Sequence, residues 1–301
     1  MSRLSVQARV MRACMRVVVK GSIRAGGRVD KVRRNLALVM PLVPRPPRGT
    51  DTTAIVVGGI AADRIATPAS RPDRYVLYLH GGSYVAGAPR LYRDLTWRIA
   101  TQCRARVVCI DYRLAPEHPF PAALDDSVAA YRGLLAESVE PKHVALMGDS
   151  AGGGLVLAAM LRLRDDGVAL PVAAAVVSPW TDLALTGDSF RLNAKRDPLI
   201  PVELAPRLVE LVLAGADPRH PYASPLYGDP TGLPPTLIQV GGDDVLRDDA
   251  VRMAEKMRAA GCHVELDVWP GLWHVWHALA RVMPEARAAF ARIASFMQDK
   301  L

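Results

Sequence analysis

Short apolar runs alternate with amphipathic stretches along most of the chain after residue 52. The apolar runs predict strands at AIVVGG, RIAT, RYVLYLHGG, RVVCIDY, HVALM, PVAAAVVSPW, PTLIQVGGDD and CHVELDVWP. The stretches with apolar residues three and four apart predict helices at RLYRDLTWRIATQC, PAALDDSVAAYRGLLAES, LVLAAMLRLRDDG, VLRDDAVRMAEKMRAAG and PEARAAFARIASFMQ. This alternation is typical of βαβ units. We therefore predict the α/β fold class, with a mainly parallel sheet and helices on both faces.

One long segment, 181–233, interrupts this alternation and contains two helix-like stretches. We interpret its central part, 184–222, as an insertion that folds over the carboxyl edge of the sheet. The proline-rich stretch PLVPRPPRGTD (41–51) breaks any helix and predicts a hinge. The predicted organisation is therefore an arm at 1–48, which joins the insertion in a helical cap, and one main domain at 49–301.

The N-terminal arm contains a basic amphipathic helix. Its cations recur at steps of three and four along one face, at Arg9, Arg12, Arg16 and Lys20. Apolar residues fill much of the rest, including Val6, Val10 and Val17. We expect the valine face to pack on the body and the arginine row to face solvent. Attachment to an anionic membrane surface and a poorly ordered tail are the alternatives.

The basic surplus of the chain is confined to this arm. The 301 residues carry a net charge of +8, but residues 1–48 hold twelve Lys and Arg against one acid. The remainder has 26 basic and 29 acidic residues, a net charge of −3. The body therefore lacks the charge of a nucleic-acid-binding protein, and we predict no nucleic-acid partner.

Compartment signals are weak in this chain. No run of 18 apolar residues predicts a membrane-spanning helix, and charges interrupt the first helix too often for an export signal. Its four cysteines, Cys14, Cys103, Cys109 and Cys262, form no metal-binding spacing. We therefore predict a cytoplasmic protein whose cysteines bind no metal, with membrane association through the arm as the alternative. A homodimer is compatible with the sequence.

A serine stands between small residues in GDSAGGG (148–154), directly after a predicted strand and before a predicted helix. The spacing G-x-S-x-G predicts a sharp strand-to-helix turn that exposes the Ser150 hydroxyl and directs backbone N–H groups towards whatever it attacks. The bare pattern also fits a glycine-rich turn capped by serine. The residues at the other strand ends must therefore decide between the two interpretations.

Three further strand ends carry reactive or ligand-binding residue types. HGGSYVAG (80–87) has consecutive glycines whose N–H groups can face a developing oxyanion, GGDDVLRDD (241–249) offers carboxylates, and GLWHVWH (271–277) offers His274 and His277. A serine nucleophile needs a histidine base, and the base needs a carboxylate. The chain order is Ser150, an aspartate near 244, then His274, which is the order of the α/β-hydrolase fold.

These stretches, with DYRLAPEHPFPAALDD (111–126) and SPWTDL (178–183), closely resemble the bacterial hormone-sensitive lipase family of α/β-hydrolases. The resemblance covers most of the chain. It implies a carboxylesterase that hydrolyses short- to medium-chain esters, without a cofactor, under a helical cap. It also implies that Ser150 is the nucleophile, that His274 is the general base, and that the N–H groups of Gly81, Gly82 and Ala151 form the oxyanion hole.

The same resemblance assigns the catalytic acid to Asp244. The family motif Asp-Pro-Leu-x-Asp aligns with DVLRD, although Val245 replaces the proline. Asp248 and Asp243 remain competitors. The literal Asp-Pro-Leu at Asp197 is rejected, because it lies in the predicted cap and well before the strand that should present the acid.

We expect the other polar residues near these motifs to support the structure and to take no part in the reaction. We expect His80 to orient the oxyanion loop or to cap its strand, and not to act as a base. We expect Asp149 to bond to local backbone. Glu117 and His118 are expected in the loop before the 121–138 helix. An i, i+3 metal pair of His274 and His277 is disfavoured, because no third ligand accompanies them.

The motifs leave the substrate open. Lipase, lactonase and amidase activities use the same acyl-transfer machinery. A non-catalytic small-molecule receptor on this fold would be expected to lose the base, which this sequence retains.

Overall fold

The computed structural model describes residues 4–24, 29–40 and 43–301. The strands are β1 Asp51–Val57, β2 Ile60–Ala66, β3 Tyr75–Leu79, β4 Arg106–Ile110, β5 Val144–Asp149, β6 Ala173–Val177, β7 Thr236–Gly241 and β8 Val264–Trp269. The helices are α1 Val6–Arg24, α2 Val29–Val39, α3 Arg93–Gln102, α4 Ala122–Ala136, α5 Ala151–Asp165, α6 Ser189–Leu192, α7 Ala205–Leu213, α8 Arg247–Ala259 and α9 Pro284–Gln298. Every strand and helix predicted from the pattern is present, with ends that differ by a few residues.

The strands form one sheet in the order β1-β2-β4-β3-β5-β6-β7-β8. The first hairpin is antiparallel, and β2 also runs antiparallel to β4. The remaining neighbours are parallel, as the alternation with helices requires. The predicted α/β class is confirmed.

Alternate residues of the central strands enter two separate cores. In β3, Leu77 and Leu79 point to the side covered by α4, α5 and α8, whereas Val76 and Tyr78 point to the side covered by α3 and α9. Because both faces are covered, these strands are apolar throughout and show no alternation with polar residues.

Parallel register brings the chemically interesting loops to one edge of the sheet. Leu79 pairs with Gly148, so the chain leaves β3 and β5 side by side. Gly241 pairs with Trp269, so the loops after β7 and β8 are also neighbours. The segment between β6 and β7, which includes the predicted insertion, reaches this edge, where the Asn193 side chain donates to the carbonyls of Gly242 and Asp244.

The orientation predicted for the first helix is wrong. Its inner face is formed by Ala8, Met11 and Met15, which pack against the core beside α9. Arg12 also points inwards: it pairs with Asp243 at 2.9 Å and lies over the Trp273 ring.

The three valines expected to pack instead face outwards. The side chains of Val6, Val10 and Val17 are 62%, 53% and 77% exposed. The helical pattern was ambiguous because small apolar residues occur on both faces, and an arginine can bury its stem while its head forms an ion pair. The side chain of Lys20 and residues 41–42 of the predicted hinge lie outside the described residues.

The second helix, α2, was not predicted from the pattern. Its Arg33 donates to the carbonyls of Val85 and Ala115 and pairs with Glu117 at 2.7 Å. These contacts join the arm to the loop after β3 and to the PEHP segment that leads into α4.

Candidate active site

Ser150 occupies a strained turn between β5 and α5. Its backbone has φ 54° and ψ −125°, a conformation that non-glycine residues rarely adopt. The flanking glycines are required by close backbone contacts. A Cβ on Gly148 would lie 2.5 Å from the carbonyl oxygen of Gly152, and one on Gly152 would lie 2.0 Å from that of Leu79. The predicted strand-to-helix elbow is therefore present.

Ser150, His274 and Asp244 lie within hydrogen-bond distance of one another in series. The Nε2 atom of His274 is 2.9 Å from the Ser150 Oγ, and its Nδ1 atom is 3.1 Å from Asp244 Oδ1. A carboxylate only accepts hydrogen bonds, so Nδ1 carries the proton and Nε2 is left to accept from the serine hydroxyl. This is the relation that a serine nucleophile, its base and an orienting carboxylate require.

The environment of His274 favours its charged form. Burial alone lowers the pKa of this imidazole, but the attraction and hydrogen bond of Asp244, with the negative charges of Asp197 and Asp149, outweigh it. The net result is a pKa raised above the ordinary histidine value. The site therefore stabilises the imidazolium that forms when the base takes a proton.

The competing carboxylates have other partners. Asp243 pairs with Arg12 of α1 at 2.9 Å. Asp248 accepts the N–H of Ser189 at 2.7 Å and pairs with Arg247. Of the three aspartates considered within GGDDVLRDD, Asp244 is the one whose oxygens lie against His274.

Asp197, which the sequence analysis rejected as the acid, nevertheless borders the site. Its Oδ2 accepts the backbone N–H groups of His274 and Val245, both at 3.2 Å. Burial, followed by repulsion from Asp244, raises the pKa of this carboxyl to about 6. Asp197 thus connects the insertion to the loops that carry the acid and the base. This contact spans 77 positions, so no local pattern in the sequence predicts it.

The loop after β3 brings its glycines beside the serine. A Cβ on Gly81 would lie 3.1 Å from the Ser150 Cβ, and Gly82 has a φ of +122° that suits glycine. The N–H of Gly81 donates to Asp149 at 3.2 Å. Ala151 is the first residue of α5, so its N–H lacks an intrahelical acceptor.

His80 and Asp149 support this loop, as their structural interpretations predicted. The Nδ1 of His80 is 2.8 Å from the Gly81 carbonyl, and its ring stacks on Tyr112. Burial lowers the pKa of His80 to about 4, so the ring is neutral and Nδ1–H donates to that carbonyl. Asp149 accepts the Tyr78 hydroxyl at 2.5 Å as well as the Gly81 N–H.

His277 is not part of the hydrogen-bonded series of Ser150, His274 and Asp244. Its ring packs against Trp276 and Phe290, and burial lowers its pKa to about 3.

Among residues 4–24, 29–40 and 43–301, no group of three His, Cys, Asp or Glu side chains could hold a metal ion. Over the same ranges, no helix has the length and apolar composition needed to cross a bilayer.

The sheet, the elbow and the Ser150–His274–Asp244 series define a hydrolase of the α/β-hydrolase fold. Residues 76–278 match the protein family described as alpha/beta hydrolase fold. An acetyl-hydrolase of Streptomyces hygroscopicus is 46% identical over 244 residues, covering 81% of each chain. An esterase of Acinetobacter venetianus is 34% identical over 284 residues, covering 93% of each.

Solved structures narrow the class to one family. A crystal structure of an esterase from the bacterial hormone-sensitive lipase family is 42% identical, with a TM-score of 0.92 over 100% of this chain and 99% of that chain. A mutant of the esterase E40 is 41% identical, with a TM-score of 0.93 over 98% of this chain and 99% of that one. The chain belongs to the bacterial hormone-sensitive lipase family of esterases and is a carboxylic-ester hydrolase.

Proposed function

We propose that this esterase works through an acyl-enzyme on Ser150, with His274 as general base and Asp244 as its orienting carboxylate. Ser150 Oγ attacks the ester carbonyl carbon while His274 Nε2 takes the hydroxyl proton. The tetrahedral intermediate collapses, the C–O bond to the alcohol breaks, and His274 returns the proton to the leaving oxygen. The single observation that carries the proposal is the 2.9 Å contact between Ser150 Oγ and His274 Nε2.

The second half repeats these steps with water. His274 takes a proton from a water molecule as its oxygen attacks the acyl carbon, and the collapse of the second intermediate breaks the bond to Ser150 Oγ. The proton then returns to the serine, and the carboxylic acid leaves. Asp244 stabilises the imidazolium in both halves, because its oxygens lie 3.1 and 3.2 Å from Nδ1.

Backbone N–H groups stabilise the negative oxygen of each intermediate in this proposal. We assign this role first to Gly82 and Ala151. Gly81 was predicted as the third donor, but its N–H is directed to Asp149 at 3.2 Å. It completes the oxyanion hole by sharing that hydrogen in a three-centre bond.

We also propose that α1, α2 and the insertion 184–222 act as the cap of the 49–301 domain. The support is a set of side chains that connect these segments to the catalytic loops. Arg12 of α1 contacts Asp243, Arg33 of α2 contacts Val85, and Asp197 of the insertion contacts His274. The cap in this proposal orders the catalytic loops as well as covering them.

A narrow cavity favours the shorter acyl chains within the predicted range of short- to medium-chain esters. It lies between Tyr84, on the loop after Gly82, and Leu155, on the first turns of α5. The space open to the centre of a water molecule inside it is small, about 20 Å³. Its other lining residues are Arg113, Ala115, His118, Phe120, Pro121, Ala123, Leu124, Leu183, Val212, Tyr222 and Ala223. We propose that the acyl group enters this cavity.

Chromogenic esters of increasing acyl length, with a matched amide, test the proposed substrate class. We expect kcat/KM to be highest for acetyl and butyryl esters and to fall steeply for longer chains and for the amide. Val212→Ala should widen the cavity and raise the ratio of hexanoyl to acetyl kcat/KM about tenfold, since one methylene in a pocket is worth about 10- to 200-fold. Val107→Ala, a buried change in the opposite core, should leave the ratio unchanged. An unchanged ratio in Val212→Ala would show that the acyl group does not enter this cavity.

The pH profile tests the charges around the base. His274 must be neutral to accept a proton, and its pKa is raised, so kcat/KM should rise through an apparent pKa above the ordinary histidine value. Asp197→Asn removes one of the charges that raise this pKa, and it should move the acidic limb to lower pH. Asp248→Asn removes a carboxylate that bonds to Ser189 and should leave the limb in place. An acidic limb that stays fixed or moves upwards in Asp197→Asn would contradict this account.

A further inference from the structure

The outer face of α1 carries an apolar stripe that nothing in the described chain covers. Val6, Val10 and Val17 are each more than half exposed, and Ala13 is exposed between them. Positions 6, 10, 13 and 17 fall within one narrow arc of a helix that turns 100° per residue. Single exposed valines are ordinary on protein surfaces, but an aligned set on one helix face is not.

This stripe is bordered by positive charge. Arg9 and Arg16 are exposed and lie one turn from Val6 and Ala13, along one edge of the stripe. The Arg16 guanidinium also donates to the Lys195 carbonyl of the insertion at 3.3 Å. The helix contains no Asp or Glu along its whole length. The helix therefore presents a narrow apolar surface with a basic margin and no acidic side chain.

The inner face explains why the stripe remains outside. Ser5 donates its N–H and its hydroxyl to Glu285 at 2.7 and 2.9 Å, and Arg12 is paired with Asp243. These bonds, together with the packing of Ala8 in the core, fix the rotation of the helix about its axis. Turning the valines inwards would expose Ala8 and break both sets of polar contacts.

We propose that the outer face of α1 docks on the surface of an anionic lipid bilayer. Apolar side chains on such a helix enter the boundary between headgroups and acyl chains, while basic side chains attract the anionic headgroups. Each cation held near such a surface adds to this attraction. The region 1–48 has a net charge of +11 in the sequence, and it remains basic although Arg12 and Arg33 pair with Asp243 and Glu117. This basic surplus matches a bilayer of opposite charge.

Charge also argues against a second copy of the chain as the occupant. A symmetric contact through this face would bring Arg9 and Arg16 of one copy close to those of the other, without an acidic residue of α1 between them. Like charges in such a contact oppose association. A bilayer presents the opposite charge over the whole length of the stripe.

Docking in this way would hold the catalytic loops near the lipid. The inner face of α1 contacts the segment after β8, where Arg12 donates to the Gly271 carbonyl and lies over Trp273, next to His274. The outer stripe is about 10 Å away, one helix diameter. This inference goes beyond the proposed ester hydrolysis, because binding to lipid needs no turnover.

Sedimentation with vesicles tests the proposal on the full chain. The protein is mixed with vesicles of equal parts phosphatidylglycerol and phosphatidylcholine, or of phosphatidylcholine alone, and the bound fraction is measured at low and high salt. We expect binding to the anionic vesicles that weakens with salt. The combined Val6→Ser, Val10→Ser and Val17→Ser variant should bind these vesicles at least about tenfold more weakly. The reason is that it loses most of the apolar area that the helix would bury in the bilayer. The Arg9→Gln variant should show a weaker preference for anionic vesicles.

The matched control changes Val56, Val268 and Val282 to serine, three exposed valines outside α1. This control should bind like the unchanged chain, and every variant should hydrolyse a soluble acetyl ester at the unchanged rate. Failure of the chain to bind anionic vesicles while it still hydrolyses esters would overturn the docking proposal alone. Equal binding by the valine variant would also overturn it. A dimer that the valine variant dissociates, measured by light scattering without lipid, would assign the face to a second copy instead.

Discussion

The Ser150→Ala variant is expected to lose ester hydrolysis by a factor on the order of 10³ or more in kcat. Ser150 Oγ is the atom that His274 Nε2 contacts at 2.9 Å, and alanine leaves the base with nothing to activate. The fold should remain intact, because alanine removes only the hydroxyl. Initial rates on a soluble acetyl ester, with circular dichroism of the same sample, measure both effects.

Ser127→Ala provides the matched control. Ser127 is also buried, but its hydroxyl donates to the Ala123 carbonyl within α4 and not to Ser150, His274 or Asp244. This control should retain nearly all activity. If purified Ser150→Ala hydrolysed the ester at close to the unchanged rate, Ser150 could not be the nucleophile.

Asp244→Asn should reduce kcat by a factor on the order of 10³ to 10⁴. The amide of asparagine presents a donor to Nδ1 of His274, which then carries its proton on Nε2. In that tautomer the ring cannot accept the Ser150 proton. The geometry stays nearly the same, so the loss should appear in kcat on soluble esters at a pH above the pKa of the base.

The neighbouring carboxylates make this second prediction specific. Asp243→Asn removes the partner of Arg12, and Asp248→Asn removes a partner of Ser189, but neither carboxylate contacts His274. Both variants should keep most of the activity. An inactive Asp248→Asn beside an active Asp244→Asn would place the catalytic acid one helical turn later in the chain.

The central fold could be predicted because each strand is apolar on both faces and each helix is amphipathic. A strand such as Tyr75–Leu79 needs two covered faces, and only helices on both sides of a parallel sheet supply them. The orientation of the first helix could not be predicted in this way, although the helix itself could. Alanine and methionine form its inner face and valine its outer face, so hydrophobicity alone does not distinguish them. Contacts such as the ion pair of Arg12 with Asp243 help to fix the rotation, and that pair joins positions far apart in the chain.

The site could be predicted in part for a similar reason. Ser150, Asp244 and His274 each follow a strand, and parallel register brings such strand ends together at one edge. Asp197 and Asn193 do not follow strands. They reach His274 and Asp244 only because the insertion folds back over that edge, a long-range contact without a local pattern.

Covalent labelling with a serine-directed organophosphate tests the central claim most directly. The reagent phosphorylates an activated serine hydroxyl and stops turnover, and peptide mass spectrometry then locates the adduct. Our account predicts one adduct, on Ser150, that increases in step with the loss of ester hydrolysis and is absent from Ser150→Ala. An adduct on another residue that tracks the loss of activity, or full activity with Ser150 modified, would contradict it.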